Sequence, residues 1–588
     1  MKKLLSGNEA IARGAWEGGV RVASAYPGTP STEIMENIAT YPEIYSEWAP
    51  NEKVAMEVAL GGSFGGARAL VSMKHVGLNV AADPLFTAAY TGVNGGLVII
   101  TADDPGMHSS QNEQDNRHYA RAAKVPMLDP SDSAEAREFT MAALDISENF
   151  DTPVLLHTTT RISHGKSTVE MAEPLPLRQA GFQPNKSKYV MIPAYGKRRH
   201  LAVEKRLNSL AEFAGDTALN RIEWADTSIG VITSGIAYQY VKEVAPHASV
   251  LKLGLIWPLP ADMIKEFAAG VDRLYVVEEL DPFLEEQIKA LGVSVIGKEA
   301  FPVTGELNPE LIGIGLGLGG TETGSVKVDM VNTIDLPMRA PAMCSGCPHR
   351  GLFYTLKKLK LVVAGDIGCY TLAVGKPLEA IDTCVCMGAS IGGAMGMEKA
   401  GIDGVIGVLG DSTFIHSGIT GLINMVYNGS HGTVVVLDNR ITAMTGRQQN
   451  AASGKRISGD EAPALDIPQL CRALGVNDIH VVDPYDLQAM EKAVRAAVDY
   501  PGVSVVITKR PCLLIDKKAR RQPVRLDNEA CRGCGLCLKL GCPAIEKVLG
   551  EGCKIGIRIN ETLCTGCGIC TQICPSRAIA AEWEEKRL

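Results

Sequence analysis

With 588 residues, 46% of them hydrophobic and 21% charged, the chain is too long for a single core. Its composition is that of a globular protein of roughly three to five domains. A formal net charge of −8 argues against nucleic acid as its main partner. The N-terminal stretch MKKLLSGNEAIARG has no apolar run of signal-peptide length, and no uninterrupted apolar stretch reaches membrane-span length. A cytoplasmic protein without membrane contact is therefore expected. Sixteen cysteines are many for a reducing compartment, and nine of them fall within Cys531–Cys574, which points to metal.

Residues 1–190 read as an α/β domain. Ala10–Trp16 has a helical pattern, and Val22–Tyr26 is a short strand running into the turn Pro27-Gly28-Thr29-Pro30. Ser31 or Thr32 can cap the helix that follows. Asn51-Glu52 opens a helix whose small residues Ala55, Ala59 and Gly62 permit close packing. A glutamate in a first helical turn is also what the helix dipole alone would favour. The polar loops Lys74–Asn79 and Asp103–Gln111 follow apolar runs and are candidates to line a pocket. Residues 191–305 start with a charged link, Lys197–His200 and Lys205, and continue as a smaller α/β domain without a constellation for chemistry. Residues 306–336 read as a linker, and Gly313–Gly320 (GIGLGLGG) as a flexible part of it, since no helical pattern follows.

Residues 337–516 form the next α/β domain, and Val405–Gly446 is its centre. Val405–Leu409 and Thr433–Leu437 read as buried strands, with Ile419, Leu422, Ile423 and Val426 at helical spacing between them. Such a β–α–β unit places both strand ends, Gly410-Asp411-Ser412 and Asp438-Asn439, on the ligand-binding edge of a parallel sheet. The Asp411 carboxylate and the Asn439 amide oxygen are hard donors suited to Mg²⁺. A diphosphate held there would lie beside the positive end of the crossover helix.

After the basic stretch Lys517–Arg525, residues 517–588 carry two cysteine runs. These are Cys531-x-x-Cys534-x-x-Cys537-x4-Cys542-Pro543 and Cys564-x-x-Cys567-x-x-Cys570-x3-Cys574-Pro575. The second is the bacterial ferredoxin run, and the first has one residue more before its last cysteine. Because the fourth cysteine of each run crosses over in two-cluster ferredoxins, Cys531, Cys534, Cys537 and Cys574 are assigned to one [4Fe–4S] cluster. Cys542, Cys564, Cys567 and Cys570 are assigned to the other. Two intact runs in tandem leave little room for the alternative, zinc. Cys553 fits neither set and is read as a free thiol.

Gly410-Asp411-Ser412 followed by Asn439, 28 positions after the aspartate, resembles the thiamine diphosphate (TPP) motif. The resemblance implies the carbonyl of Ile441 as a further Mg²⁺ ligand. It also implies an apolar wedge against the cofactor from Met387, for which an ordinary core position is the alternative. Asn51-Glu52 with its Ala-rich helix and Gly66-Ala67-Arg68 resembles the pyrimidine-binding domain of TPP enzymes, which gives Glu52 the contact to the pyrimidine N1′. The cofactor supplies the nucleophilic carbon and the protein positions it. Residues 191–305 resemble the non-catalytic third domain of transketolase-like enzymes.

In domain order and motifs the whole chain resembles the α subunits of the indolepyruvate branch of the 2-oxoacid:ferredoxin oxidoreductase family. Tyr26–Glu33, Cys344–Gly351, Gly410–Gly418, Asp438–Gly446 and the lengthened first cysteine run carry the match. The implied fold class is multidomain α/β, with transketolase-like TPP-binding domains and a C-terminal bacterial-type two-cluster ferredoxin domain of α+β type. The implied reaction is oxidative decarboxylation of aryl pyruvates with coenzyme A to aryl-acetyl-CoA and CO₂, the electrons passing through the clusters to ferredoxin. The implied partner is a smaller β subunit, in an α2β2 assembly. Another 2-oxo acid as substrate, or non-oxidative TPP-dependent decarboxylation, are the alternatives. In cluster-bearing relatives a further cluster beside TPP uses cysteines in the pattern of Cys344, Cys347, Cys369 and Cys512. The flanking Pro348-His349-Arg350 departs from the relatives' form, so the other reading is that Cys344–Arg350 only shapes the cofactor pocket. His349 and His416 lie in matched motifs and rank below Glu52.

Overall fold

A computed structural model of the chain describes residues 1–177, 181–182, 184–318, 341–516, 518, 520–549 and 555–581. Cys553, most of the expected linker, and part of the basic stretch before the cysteine runs lie outside the described residues. The chain divides into two compact units, Met1–Thr333 and Ile334–Leu588. No helix among the described residues is long and apolar enough to cross a membrane.

The first unit is built on a seven-stranded sheet. Its order is Leu255–Trp257, Met127–Leu128, Val154–Thr159, Leu97–Asp103, Arg68–Lys74, Val20–Ala25, Tyr45–Trp48. Every pair is parallel except the outermost, Leu255–Trp257 on Met127–Leu128. The central strands are covered on both faces, and all seven residues of Leu97–Asp103 are buried, as parallel strands between helical layers require. A second sheet has the order Leu274–Val277, Asp226–Thr233, Ala248–Lys252, Arg221–Glu223, with only the last strand antiparallel.

Two expectations for this unit need revising. The charged link at 197–205 lies within one long helix, Pro193–Asp216, which buries Val203, Arg206, Leu210 and Ala214 at helical spacing. The guanidinium of Arg206 donates to the carbonyls of Ala89 and Asp151, so a charged residue serves the packed face. Linker character does not begin at residue 306 either. Pro309–Gly315 is a helix capped by Asn308, whose side chain accepts from the Leu311 N–H at 2.9 Å. Ile312 and Leu316 are buried in the core beside the second sheet.

The second unit contains a six-stranded, wholly parallel sheet. Its order is Thr383–Cys384, Val362–Gly365, Val405–Gly410, Thr433–Asp438, Ser504–Lys509, Asp478–Val482. The strands VIGVLG and TVVVLD, apolar except for Thr433 and Asp438 at the ends of the second, are buried along their whole length. The last segment folds as two short antiparallel pairs, Ile545–Leu549 with Ile555–Ile559 and Arg525–Leu526 with Ile579–Ala580. A small core of Val524, Leu540, Ile545, Ile557, Ile569 and Ile579 packs with the cysteines around it.

Candidate cofactor and cluster sites

In the first unit, the parallel strands end on one edge, and the polar residues singled out from the sequence collect there. The edge strand Tyr45–Trp48 leads into Asn51, whose side chain accepts from the Val54 N–H at 2.9 Å and so fixes where the Glu52–Phe64 helix starts. Glu52 is thereby the first helical residue, and it is buried. Its side chain lies over Gly77. A Cβ at Gly77 would come within 2.7 Å of the Glu52 Cγ and Oε1, so only glycine lets the carboxyl group rest there. His75 is fully buried and its Nε2 pairs with the Asn112 Oδ1 at 3.0 Å, while burial lowers its pKa. His108 is half exposed and pairs with Glu306 at 3.1 Å.

In the second unit, Asp411 and Asn439 stand at the ends of adjacent parallel strands. Asp411 opens a helical segment that runs through a π-turn, Phe414–Gly418, into the helix Ile419–Tyr427. One Asp411 oxygen accepts from the Ser412 N–H at 2.6 Å and the other from the Arg440 N–H at 2.7 Å. Burial, with the neighbouring Asp438 adding to it, pushes the Asp411 pKa up to about 7. Asn439 is buried, and its side chain is held at both ends. Its NH₂ donates to the His349 Nε2 at 3.2 Å, and its oxygen accepts from the Ile441 N–H at 3.1 Å. Burial pushes the His349 pKa down to about 4, so at neutral pH the ring is the acceptor that this bond needs. The bond selects which end of the Asn439 amide presents oxygen. Asp438 has a cation already, its Oδ1 lying 3.0 Å from the Arg440 Nε, whereas the Asp411 carboxylate meets only main-chain N–H groups and stands beside a hard amide oxygen. This donor set fits magnesium.

Around this pair, Ser412 accepts a bond from the Thr442 hydroxyl at 2.9 Å, and Ile441 is buried. Gly410 admits no side chain without pressing on Tyr370, whose ring would lie 3.0 Å from an added Cβ. Met387 is half-buried and stands just before the helix Ala389–Lys399, outside the packed cores. His416 is buried beside Ser417, 2.6 Å from its hydroxyl. Sequence reasoning passed over Asp366. This buried carboxylate follows the strand Val362–Gly365 and accepts from the N–H groups of Ile367, Gly388 and Ser390, so it holds the turn between Met387 and its helix. The signal was present: an acid at the end of an apolar strand, as at Asp411.

The cysteines of the last segment sort into two cavities. Cys542, Cys564, Cys567 and Cys570 line one, while Cys531, Cys534, Cys537 and Cys574 line the other. Each fourth cysteine thus sits with the other run's first three. In Cys531-x-Gly533-Cys534 and Cys564-x-Gly566-Cys567 the glycine is left-handed, at φ +64° and +66°. Gly346, in Cys344-x-Gly346-Cys347, repeats that turn at φ +67°. The fold also gathers the four outlying cysteines. Cys347 is pushed up to about 12 by burial, with Cys344 and Cys369 contributing. Cys369 is pushed up to about 11 by burial, with Cys512 and Cys344 contributing. The Cys512 N–H donates to the carbonyl of Asn439 at 3.0 Å, so this group of thiols adjoins the Asp411–Asn439 pair.

Comparison with known proteins agrees with this layout. The family described as thiamine pyrophosphate enzyme, C-terminal TPP binding domain, matches residues 366–508. The family described as pyruvate flavodoxin/ferredoxin oxidoreductase, thiamine diphosphate binding, matches 13–225, and the 4Fe–4S binding domain matches 557–580. Over 98% of its length the chain is 39% identical to the indolepyruvate oxidoreductase subunit IorA of Archaeoglobus fulgidus, of which 97% is covered. It is 40% identical to the IorA subunit of Methanothermobacter thermautotrophicus, over 99% of this chain and 97% of that one. The chain belongs to the IorA family of indolepyruvate oxidoreductase subunits. The IorA subunit of Pyrococcus horikoshii is 38% identical over 92% of both chains. A solved 2-oxoglutarate:ferredoxin oxidoreductase from Magnetococcus marinus aligns with a TM-score of 0.45 at 18% identity, over 53% of this chain and 64% of that one. As an IorA-family member the chain is an oxidoreductase subunit, with TPP-binding domains of α/β type and a C-terminal iron–sulfur domain. The pyruvate flavodoxin/ferredoxin oxidoreductase match, 13–225, runs past residue 190, the boundary expected from the sequence.

Proposed function

We propose that the protein is the larger subunit of an enzyme that oxidatively decarboxylates aryl pyruvates of the indolepyruvate type. Coenzyme A takes the acyl group, CO₂ leaves, and the electrons pass singly to ferredoxin. The observation that carries this reading is the pairing, in one IorA-family chain, of a hard-oxygen site at a parallel sheet edge with two four-cysteine cavities. A TPP enzyme that merely protonated its product would have no use for the cysteines.

When bound, thiamine diphosphate would supply the nucleophilic carbon and the electron sink that decarboxylation of a 2-oxo acid needs. The chain's own residues do the rest. The carboxylate of Asp411, the side-chain oxygen of Asn439 and the carbonyl of Ile441 would hold the magnesium that anchors the diphosphate. Gly410 and Ser412 shape the turn around it. Met387 supports the cofactor rings, and Glu52 exchanges a proton with the pyrimidine N1′. Cys531, Cys534, Cys537 and Cys574 hold one [4Fe–4S] cluster, and Cys542, Cys564, Cys567 and Cys570 the other. Cys344, Cys347, Cys369 and Cys512 hold a third. What supports it is the repeated Cys-x-Gly-Cys turn and the clustering of the four thiols beside Asn439. The partner is a smaller β subunit, in an α2β2 assembly.

The test is a substrate panel run anaerobically on the co-purified complex with coenzyme A and ferredoxin. Ferredoxin reduction with indolepyruvate or phenylpyruvate, well above that with pyruvate or 2-oxoglutarate, is expected. A preference for a small or acidic 2-oxo acid would reassign the substrate. Aldehyde release without electron acceptor would reassign the reaction to non-oxidative decarboxylation.

A further inference from the structure

Arg350 is a buried guanidinium with no carboxylate partner among the described residues. Its bonds go to main-chain carbonyls alone: Nη1 donates to Leu540 at 2.6 Å, and Nη2 donates to Met343 at 2.7 Å and Cys344 at 3.1 Å. Its Nε has no hydrogen-bond partner among the described residues. A buried cation left without a counter-charge is costly, and neutral carbonyls repay only part of that cost. The location supplies the missing anion. Arg350 lines the cavity of Cys542, Cys564, Cys567 and Cys570, and its Nη2 also grips the Cys344 carbonyl in the other cysteine group. Gly346, in the Cys344–Cys347 turn, lines the same cavity and packs on Thr565. The two cysteine groups therefore adjoin each other, with Arg350 at their junction. The cavity of Cys531, Cys534, Cys537 and Cys574 has a different cation, Arg532, which is exposed and screened by water.

Resting on the cluster assignment above, we propose that Arg350 is the built-in counter-charge of the iron–sulfur cluster held by Cys542, Cys564, Cys567 and Cys570, and that it raises that cluster's reduction potential. Four thiolates around a [4Fe–4S] core leave a net negative charge, and reduction adds one more electron. A fixed positive charge favours the more negative, reduced form. In a medium of effective dielectric about 20, one unit charge nearby shifts such an equilibrium by about tenfold. Electrons delivered from the Cys344 side are thereby drawn into this cavity before they pass outward. Arg350 acts here as a positioning and tuning residue; it does not touch the reacting carbon.

The test is an anaerobic redox titration of the full complex followed by EPR, with iron counted in every sample. Arg350→Gln keeps amide donors for the carbonyls but removes the charge. It is expected to lower the reduced-to-oxidised ratio of that cluster about tenfold at a fixed potential, about 59 mV for a one-electron couple. The cluster of the Arg532 cavity should keep its midpoint. Arg350→Lys keeps the charge and should keep the wild-type midpoint. An unshifted midpoint in Arg350→Gln at full iron, or the same fall in Arg350→Lys, overturns the proposal. If Arg350→Gln fails to hold iron, Arg350→Lys decides. Iron retained with lysine shows that the site needs the charge, whereas iron lost with lysine leaves only a hydrogen-bonding role and overturns the proposal. A wild-type complex without two ferredoxin-type clusters would overturn the cluster assignment, and this proposal with it.

Discussion

Asp411 offers a test in which removing a functional group stabilises the protein. In the metal-free chain, burial and the neighbouring Asp438 raise its pKa from 3.8 to about 7. Between those values the folded protein still holds a proton that the unfolded chain has released, so stability falls as pH rises through that window and stays low above it. The rise corresponds to about 4 kcal/mol at pH 8 and to under about 2 kcal/mol at pH 5. Asparagine removes the charge but keeps one oxygen. Its NH₂ must then face the main-chain N–H of Ser412 or Arg440, at a cost of about 1–3 kcal/mol. Metal-free Asp411→Asn should therefore be more stable than the wild type at pH 8 by about 1–3 kcal/mol and roughly equal to it at pH 5. Thermal unfolding of both proteins in chelator, at pH 5 and at pH 8, reads this directly. Adding Mg²⁺ with thiamine diphosphate should raise the wild-type midpoint and leave the variant unmoved. A wild-type-minus-variant difference that is the same at both pH values would refute the reasoning.

Other substitutions test separate parts of the account. Glu52→Gln should slow hydrogen exchange at C2 of bound thiamine diphosphate about 10²–10⁴-fold while the cofactor stays bound, as read by NMR after quenching. Gly77→Ala, whose new Cβ would press on the Glu52 carboxyl group, should slow the same exchange by up to about 10²-fold with cofactor affinity unchanged. His349→Leu removes the acceptor that orients Asn439 and should weaken thiamine diphosphate binding about tenfold by calorimetry, because a buried amide donor is left unpaired. Cys567→Ser should abolish ferredoxin reduction and cost one cluster's worth of iron, while the C2 exchange continues at the wild-type rate.

Features specified over short stretches of sequence could be read without coordinates. Gly410-Asp411-Ser412 and Asn439 are strand-end residues in a single β–α–β unit, and the cysteine runs carry their meaning in spacing. The crossover of Cys574 and Cys542 followed from how such runs fold, and the two cavities contain those sets. Long-range packing was not legible. The bond from Arg350 to the Leu540 carbonyl spans 190 positions, and the Asn439–His349 pair spans 90. Nothing local marked Leu255–Trp257 as the outermost strand of the first sheet, because its partner Met127–Leu128 lies far back in the chain. The helix Pro193–Asp216 was hidden by its charges, although Val203, Leu210 and Ala214 already had helical spacing. Asp366 was missed because its role, holding Gly388 and Ser390, depends on residues more than twenty positions away.

The central claim is that electrons released when a 2-oxo acid is decarboxylated enter the clusters held by this chain. The direct measurement is rapid anaerobic mixing of the oxidised complex with indolepyruvate, with and without coenzyme A and with no external acceptor, freezing samples for EPR. The account expects the spectrum of reduced [4Fe–4S] clusters to appear together with CO₂, and to be lost, along with bound cofactor, in Asp411→Ala. CO₂ release with the clusters still oxidised, whether or not coenzyme A is present, would contradict it.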